Sequence, residues 1–263
     1  MISKKFWNDK SVLITGGSSG IGRAMAMLAA ASGARVGLIA RTGDMLAEVV
    51  SEIRTTGGVV EKMACDVTDV HALQTAVQAL EQHLGPVDVA IACAGVHRVT
   101  WPLDAERSRE VIDVNVNGTV NFLATVIPGM LKRRRGHVCG VASLASLVGL
   151  RKNAAYAASK AAVVMFLESL RVDCRQHGIS VTTACPGYVD TKMITPAERA
   201  SGVAIPAEQA ADTILAAIEK KQAEVWFPRW TALQASLLRL LPPRLRDAVV
   251  CHLPAMEEAS SGE

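Results

Sequence analysis

Aromatic residues make up only 4% of the 263 positions, and no basic stripe runs among them. A nucleic-acid surface wants both cations and flat rings to stack on bases, so that class of partner is excluded. The one dense basic run, Lys132-Arg133-Arg134-Arg135, falls between a helix pattern and a strand pattern and reads as a solvated turn. Net charge is small as well, formally +3. The six cysteines (65, 93, 139, 174, 185 and 251) form no C-x-x-C pair, and no two histidines fall four apart, so no metal site is legible. Several of these cysteines sit in apolar runs, where a free thiol behaves as a small hydrophobe; a reducing cytoplasmic compartment is the expectation. No window holds the ~18 uninterrupted apolar residues of a membrane span. The polar start, Met1 to Lys10, leads into a strand pattern and does not read as a targeting segment.

What is present is apolar and alternating. Half of the residues are hydrophobic, and the length suits one large α/β domain. Short apolar runs occur at Ser11–Thr15, Arg35–Ala40, Val59–Ala64, Val87–Cys93, His137–Ala142, Ile179–Cys185 and Glu224–Phe227. Runs that are apolar on both faces suit parallel strands covered by helices. Between them lie longer helical patterns such as Ala24–Ser32 and Ala154–Gln176. Repeated strand–helix alternation predicts a Rossmann-type, doubly wound, seven-stranded parallel sheet, with residues 1–227 as the main domain and 228–263 as a helical extension. Such a sheet binds ligands outside the carboxyl ends of its strands.

The first such end carries Gly16-Gly17-Ser18-Ser19-Gly20-Ile21-Gly22. Glycines let the chain turn tightly and let backbone N–H groups approach a pyrophosphate, while the following helix aims its positive end at the anion. The second end discriminates between nicotinamide cofactors. An NAD site wants an acid there, ~20 residues past the glycines, for the ribose hydroxyls. This chain has Arg41, whose guanidinium suits a 2′-phosphate, so NADP is favoured over NAD. Asp44 is read as capping the next helix.

Tyr156 and Lys160 lie four apart in a strongly helical stretch, which puts both on one helix face. A phenol is a weak acid–base catalyst at neutral pH unless a nearby cation stabilises its phenolate, and Lys160 carries such a charge. Ser143, after the fifth strand, has a hydroxyl that could bind a substrate carbonyl oxygen. A lone Y-x-x-x-K could equally be a surface helix pair. Its order after a glycine-rich first turn and Ser143 argues for a single site.

Thr15-Gly16…Gly20-Ile21-Gly22, Asp66, Cys93-Ala94-Gly95, Asn115, Ser143, Tyr156…Lys160 and Pro186-Gly187…Thr191 together resemble the classical short-chain dehydrogenase/reductase family, from about residue 10 to 225. The resemblance implies that Tyr156 is the general acid in reduction and that Ser143 steadies the carbonyl oxygen. It implies that Lys160 lowers the tyrosine pKa and holds the nicotinamide ribose, and that Asn115 holds a water linking the lysine to solvent. It places cofactor contacts at Gly16, Ser18, Ser19, Gly20 and Ile21, and at Arg41, Asp66 (toward the adenine) and Val67. Ala94, Gly95, Tyr156 and Lys160 follow, with Pro186, Gly187, Val189 and Thr191 about the nicotinamide. A homo-oligomer, dimer or tetramer, is also implied. The family often has Asn-Asn-Ala-Gly where this chain has Ala92-Cys93-Ala94-Gly95, so support of the sheet there is expected to differ.

The segment from Tyr188 to Ile205 would close the pocket. Met193, Ile194, Val203, Ala204 and Ile205 there, among Lys192, Glu198 and Arg199, suit a hydrophobic small-molecule substrate. Tyr188 is read as filling space beside the nicotinamide. Beyond it, Trp230, Leu233, Leu237, Leu238 and Leu241 recur at helical spacing, with Leu245, Val249 and Val250 after Pro242-Pro243. Arg229, Arg239, Arg244 and Arg246 surround them against Asp247. Residues 229–250 could lie peripherally on a membrane, cover the pocket, form a subunit interface or pack on their own domain. Met256–Glu263 reads as a polar, disordered tail. The functional expectation is NADP(H)-dependent hydride transfer reducing a hydrophobic, lipid-like ketone. The alternatives are an alcohol or steroid dehydrogenase running oxidatively and a non-catalytic nucleotide-binding scaffold.

Overall fold

The computed structural model describes residues 2–195, 199 and 202–253; the 256–263 tail and Glu198 lie outside them. Among these residues the strands are β1 (Ser11–Thr15), β2 (Arg35–Ala40), β3 (Val59–Ala64), β4 (Val89–Ala92), β5 (Gly136–Val141) and β6 (Ile179–Pro186), then β7 (Val189–Asp190), β8 (Ile205–Pro206) and β9 (Glu224–Phe227). Seven of them form one parallel sheet in the order β3-β2-β1-β4-β5-β6-β9, as the alternation predicts, while β7 and β8 pair separately. The helices are α1 (Lys4–Trp7), α2 (Gly20–Ala31), α3 (Gly43–Thr55), α4 (Val70–Leu84), α5 (Ala105–Ile112), α6 (Gly118–Arg133), α7 (Ala154–Arg175), α8 (Ala207–Glu219), α9 (Arg229–Leu240) and α10 (Pro243–His252).

All five residues of β1 are buried, because helices cover both faces of the sheet. Val12 and Ile14 pack with Val36, Leu38, Met25, Leu46, Val49 and Ile214 on the side of α2, α3 and α8. Leu13 and Ile39 point the other way, to Leu73, Leu80, Phe122 and Leu167 of α4, α6 and α7. Each large aliphatic or aromatic side chain so buried contributes roughly 1.5–3 kcal/mol. β3 is an edge strand and alternates, exposing Val59 and Lys62 while burying Val60. A charge on an edge strand discourages pairing with another chain.

Some boundaries differ from expectation for identifiable reasons. β4 is shorter than Val87–Cys93 because its flanking N–H groups bond elsewhere: Val87 N–H to Glu81 Oε1 (3.1 Å), and Cys93 and Ala94 N–H both to Thr15 Oγ1 (3.1 and 3.2 Å). α2 begins at Gly20, four residues before the expected Ala24, so the glycine turn feeds the helix directly. The start of the chain forms a turn of helix with Trp7 fully buried, which its polar composition did not reveal. Asp44 is not the cap of α3; Thr42 holds that place and Asp44 sits in the first turn, where its charge still favours the helix dipole.

The basic run has work within the fold. Arg133 donates to Val87 O (2.8 Å), Arg134 to Gln176 O (2.8 Å) and Arg135 to Asp88 Oδ1 (2.8 Å). These bonds tie the amino-terminal side of the sheet, opposite the ligand-binding end.

Candidate active site

The carboxyl end of β1 turns at Gly16, whose φ of +69° is a left-handed conformation glycine tolerates without strain. A Cβ at Gly16 would stand 2.8 Å from Ala94 Cα, and one at Gly22 would overlap the Gly16 carbonyl. The turn is therefore a bare backbone cradle leading to the N-terminus of α2, where Ser19 is the N-cap and its side chain makes no capping bond. Gly16 N–H donates to Ile39 O (2.8 Å) across to β2, and Arg41 lies exposed two residues beyond Ile39. A Cβ at Gly20 would meet Thr191 Cγ2 at 3.0 Å, bringing the glycine turn against the segment after β6. Both features fit a dinucleotide, whose phosphates need backbone donors and close approach. Ser18 and Ile21 are half-exposed on the same turn.

Asp66 follows β3, and its Oδ1 accepts from Thr68 N–H (2.9 Å) and Thr68 Oγ1 (2.8 Å), leaving Oδ2 for another donor. Val67 is buried against Gly118, with its carbonyl held by Asn121 Nδ2 (3.0 Å). At the end of β6, Pro186 is buried beside Phe227 of β9, and Gly187 N–H donates to Phe227 O (2.7 Å). Val189 is buried and pairs with Ile205, and Ile205 N–H donates to Tyr188 O (3.0 Å). Arg199 Nε meets Asp190 Oδ1 at 2.6 Å and its NH2 group donates to Thr191 O (3.1 Å), closing the segment on itself.

The candidate catalytic residues converge from β5, α7 and the turn preceding α6. Ser143 follows β5, with its Oγ accepting from Ala145 N–H (3.1 Å). Tyr156 lies near enough for Ser143 to draw the phenol pKa down. Lys160 is buried one helical turn on, its Nζ donating to Val141 O (2.9 Å) and standing 5.7 Å from the Tyr156 ring centre. Asn115 lies fully buried in a π-helical turn, Asp113–Asn117. Its Oδ1 accepts from Val96 N–H (2.8 Å), while Nδ2 donates to Val96 O (3.0 Å) and Ser159 Oγ (2.9 Å). The Asn115 side chain is thus a strut between the β4 loop and α7. A Cβ at Gly95 would fall 3.2 Å from Asn115 Oδ1 and 3.4 Å from Lys160 Nζ, so Gly95, Asn115 and Lys160 meet.

Burial dominates the electrostatics of the two groups. Burial pushes the half-buried Tyr156 up to about 12, with the Ser143 hydrogen bond pulling down and Cys93 adding a small rise. Burial brings Lys160 itself down to about 8, with Cys93 and Cys185 opposing. The ammonium spends a hydrogen bond on Val141 rather than on the phenol. Cys93 is raised to about 11 by burial, offset in part by Lys160. Where the family often has an amide, Cys93 packs against the apolar core, and the Thr15 hydroxyl supports the backbone instead.

Three neighbours of the site have no sequence signal in the Tyr–Lys spacing. His97 sits edge-on to Tyr156 (ring centres 5.1 Å apart, planes at 84°), and its Nε2 lies 3.1 Å from Asn153 Oδ1. Ser159 Oγ donates to Tyr156 O (2.7 Å) and accepts from Asn115. His97 and Asn153 are 56 residues apart, so only the fold brings them together.

Comparison with known proteins agrees with this geometry. Residues 10–201 match the family described as short chain dehydrogenase. An uncharacterized oxidoreductase of Myxococcus xanthus is 36% identical over 93% of this chain and 97% of its own. A fatty acyl-CoA reductase of Acinetobacter baylyi is 36% identical over 81% of this chain and 74% of its own. The crystal structure of a metagenomic short-chain oxidoreductase in complex with NADP superposes with a TM-score of 0.72 at 29% identity, covering 83% of this chain and 96% of that one. The family's members are oxidoreductases that use nicotinamide cofactors and small-molecule substrates. The chain belongs to the short-chain dehydrogenase/reductase family, with the Rossmann-type fold that family shares.

Proposed function

We propose that this oxidoreductase is an NADP(H)-dependent reductase of a hydrophobic carbonyl compound, with Tyr156 as the proton donor. The observation that carries the reading is the convergence of the Tyr156 phenol, Ser143 and the buried Lys160, whose Nζ stands 5.7 Å from the Tyr156 ring centre. A protonated phenol suits reduction, because the oxygen of a carbonyl that gains hydride becomes an alkoxide, a far stronger base than phenolate. When bound, the reduced nicotinamide supplies the hydride that becomes the new C–H bond. Tyr156 Oη gives its proton to the carbonyl oxygen, and Ser143 Oγ steadies that oxygen as charge grows on it. Lys160, charged below its pKa of about 8, stabilises the phenolate left behind and would hold the nicotinamide ribose when the cofactor is bound. Gly16, Ser18, Ser19, Gly20 and Ile21 would hold the pyrophosphate. Asp66 Oδ2 and Val67 would meet the adenine end; Ala94, Gly95, Pro186, Gly187, Val189 and Thr191 would flank the nicotinamide end.

Arg41 supports NADP, since it is exposed after β2 with a guanidinium matched to a 2′-phosphate. The NADP bound in the metagenomic relative fits that reading. The A. baylyi relative, named a fatty acyl-CoA reductase, supports a lipid-like substrate, as do Met193 and Val203, both exposed beside the site. Tyr156→Phe should lower turnover roughly 10²–10⁴-fold while NADPH fluorescence still reports binding. Turnover at the wild-type rate on a ketone the enzyme accepts would reject the role given to Tyr156.

A further inference from the structure

We propose that the catalytic end of the molecule docks on an anionic lipid bilayer through α9 and α10. The argument begins with where α9 runs. It starts two residues past Phe227, which pairs with Pro186 at the carboxyl end of β6. Its far end places Arg239 in a cleft of about 300 Å³ with Ser146, Leu147 and Gly149, in the loop that follows Ser143. α10 reaches the same loop, where Arg151 donates to Cys251 O (3.4 Å). The same cleft is lined by Ala154, Ala157, Ala158 and Ala161 of α7, so α9 flanks the catalytic end beside the first turns of that helix.

The outward side of that helix is apolar. Trp230 (68% exposed), Leu233, Leu237 and Leu240 (80% exposed) recur at helical spacing, and Leu245 and Val249 continue the surface on α10. The opposite side, Ala232 and the half-buried Leu238, packs on the domain, so the exposed residues are not needed to hold the helix in place. Trp101 and Leu103 after β4 and Met193 after β6 add exposed apolar side chains beyond the same strand ends.

Charge selects the occupant. The two helices carry Arg229, Arg239, Arg244 and Arg246 against Asp247, four minus one, or +3. Among the described residues none of these four arginines enters an ion pair. A second copy of this chain on the same face would set arginines against arginines. Anionic headgroups match them, while tryptophan and leucine enter the acyl boundary and the long arginine stems reach up to the phosphates. No described helix is long and apolar enough to cross a membrane, so the contact is with one leaflet.

Flotation of the full chain with phosphatidylcholine–phosphatidylserine vesicles, against phosphatidylcholine alone, tests this without turnover, so its outcome is independent of the reaction proposed above. The chain should float with the anionic vesicles and be released by high salt. Replacing any one of Arg229, Arg244 or Arg246 by Gln should weaken binding about fivefold. The double change Leu233→Ser and Leu237→Ser should reduce it further, with circular dichroism unchanged because both side chains are exposed. The proposal is overturned if the unaltered chain does not float with anionic vesicles at low salt. It is equally overturned if that chain is a dimer in solution that the Leu233→Ser, Leu237→Ser change turns into a monomer.

Discussion

At single residues, burial and hydrogen bonding set the titration behaviour, and His137 gives the clearest test outside the active site. Its Nε2 lies 2.8 Å from Thr182 Oγ1, whose own proton goes to Gln222 O (2.6 Å), so the imidazole donates through Nε2. Burial, then the charge of Lys221, lowers the His137 pKa from 6.5 to about 4. Between those values the unfolded chain binds a proton that the folded one refuses, so stability falls as pH drops through the window, by about 3 kcal/mol in all. Thermal melts of the wild type and His137→Gln from pH 7 to 4 should show a shallower acid limb in the variant; parallel curves would count against it. Tyr156, Lys160 and Ser143 were legible in sequence because their partners lie within a few residues or at a family spacing. His97 and Asn153 were not, since their meeting depends on how the β4 loop packs against the start of α7. The bond from the Lys160 ammonium to the Val141 carbonyl is likewise a contact across the fold that spacing does not show.

Among the elements, the strands were readable to within a residue or two because burial on both faces leaves short runs with little polar content. The main departure, at β4, comes from the Glu81 carboxylate taking the Val87 N–H at one end and the Thr15 hydroxyl taking two N–H groups at the other. The helix α1 escaped notice because it is one turn long, and a single buried Trp7 anchors it. The loops after strands carry the discriminating residues, and Arg41 after β2 is the one to test. Arg41→Ala should weaken NADPH by roughly ten- to hundredfold, as expected for loss of a charge-assisted bond, and leave NADH nearly unchanged. Titration of both cofactors by fluorescence checks it, and equal losses would reject the 2′-phosphate role.

For the molecule as a whole, the question is whether residues 1–227 stand alone. We expect a chain ending at Phe227 to keep the seven-stranded sheet, since the core on both faces is assembled from elements before that point. It should melt cooperatively but several degrees lower, because Ala232 belongs to the core and the Trp226 side would be uncovered. Circular dichroism melts decide this, and a chain without a cooperative transition would make the extension part of the folding unit. The two ends of the sheet are divided in labour: Arg133, Arg134 and Arg135 stitch one, while ligand-binding loops occupy the other. The Asn115 amide sets how that second end can move. By bonding Val96 twice and Ser159 once, it welds the loop after β4 to α7, the helix bearing Tyr156. Those two walls therefore move together as one stiff jaw.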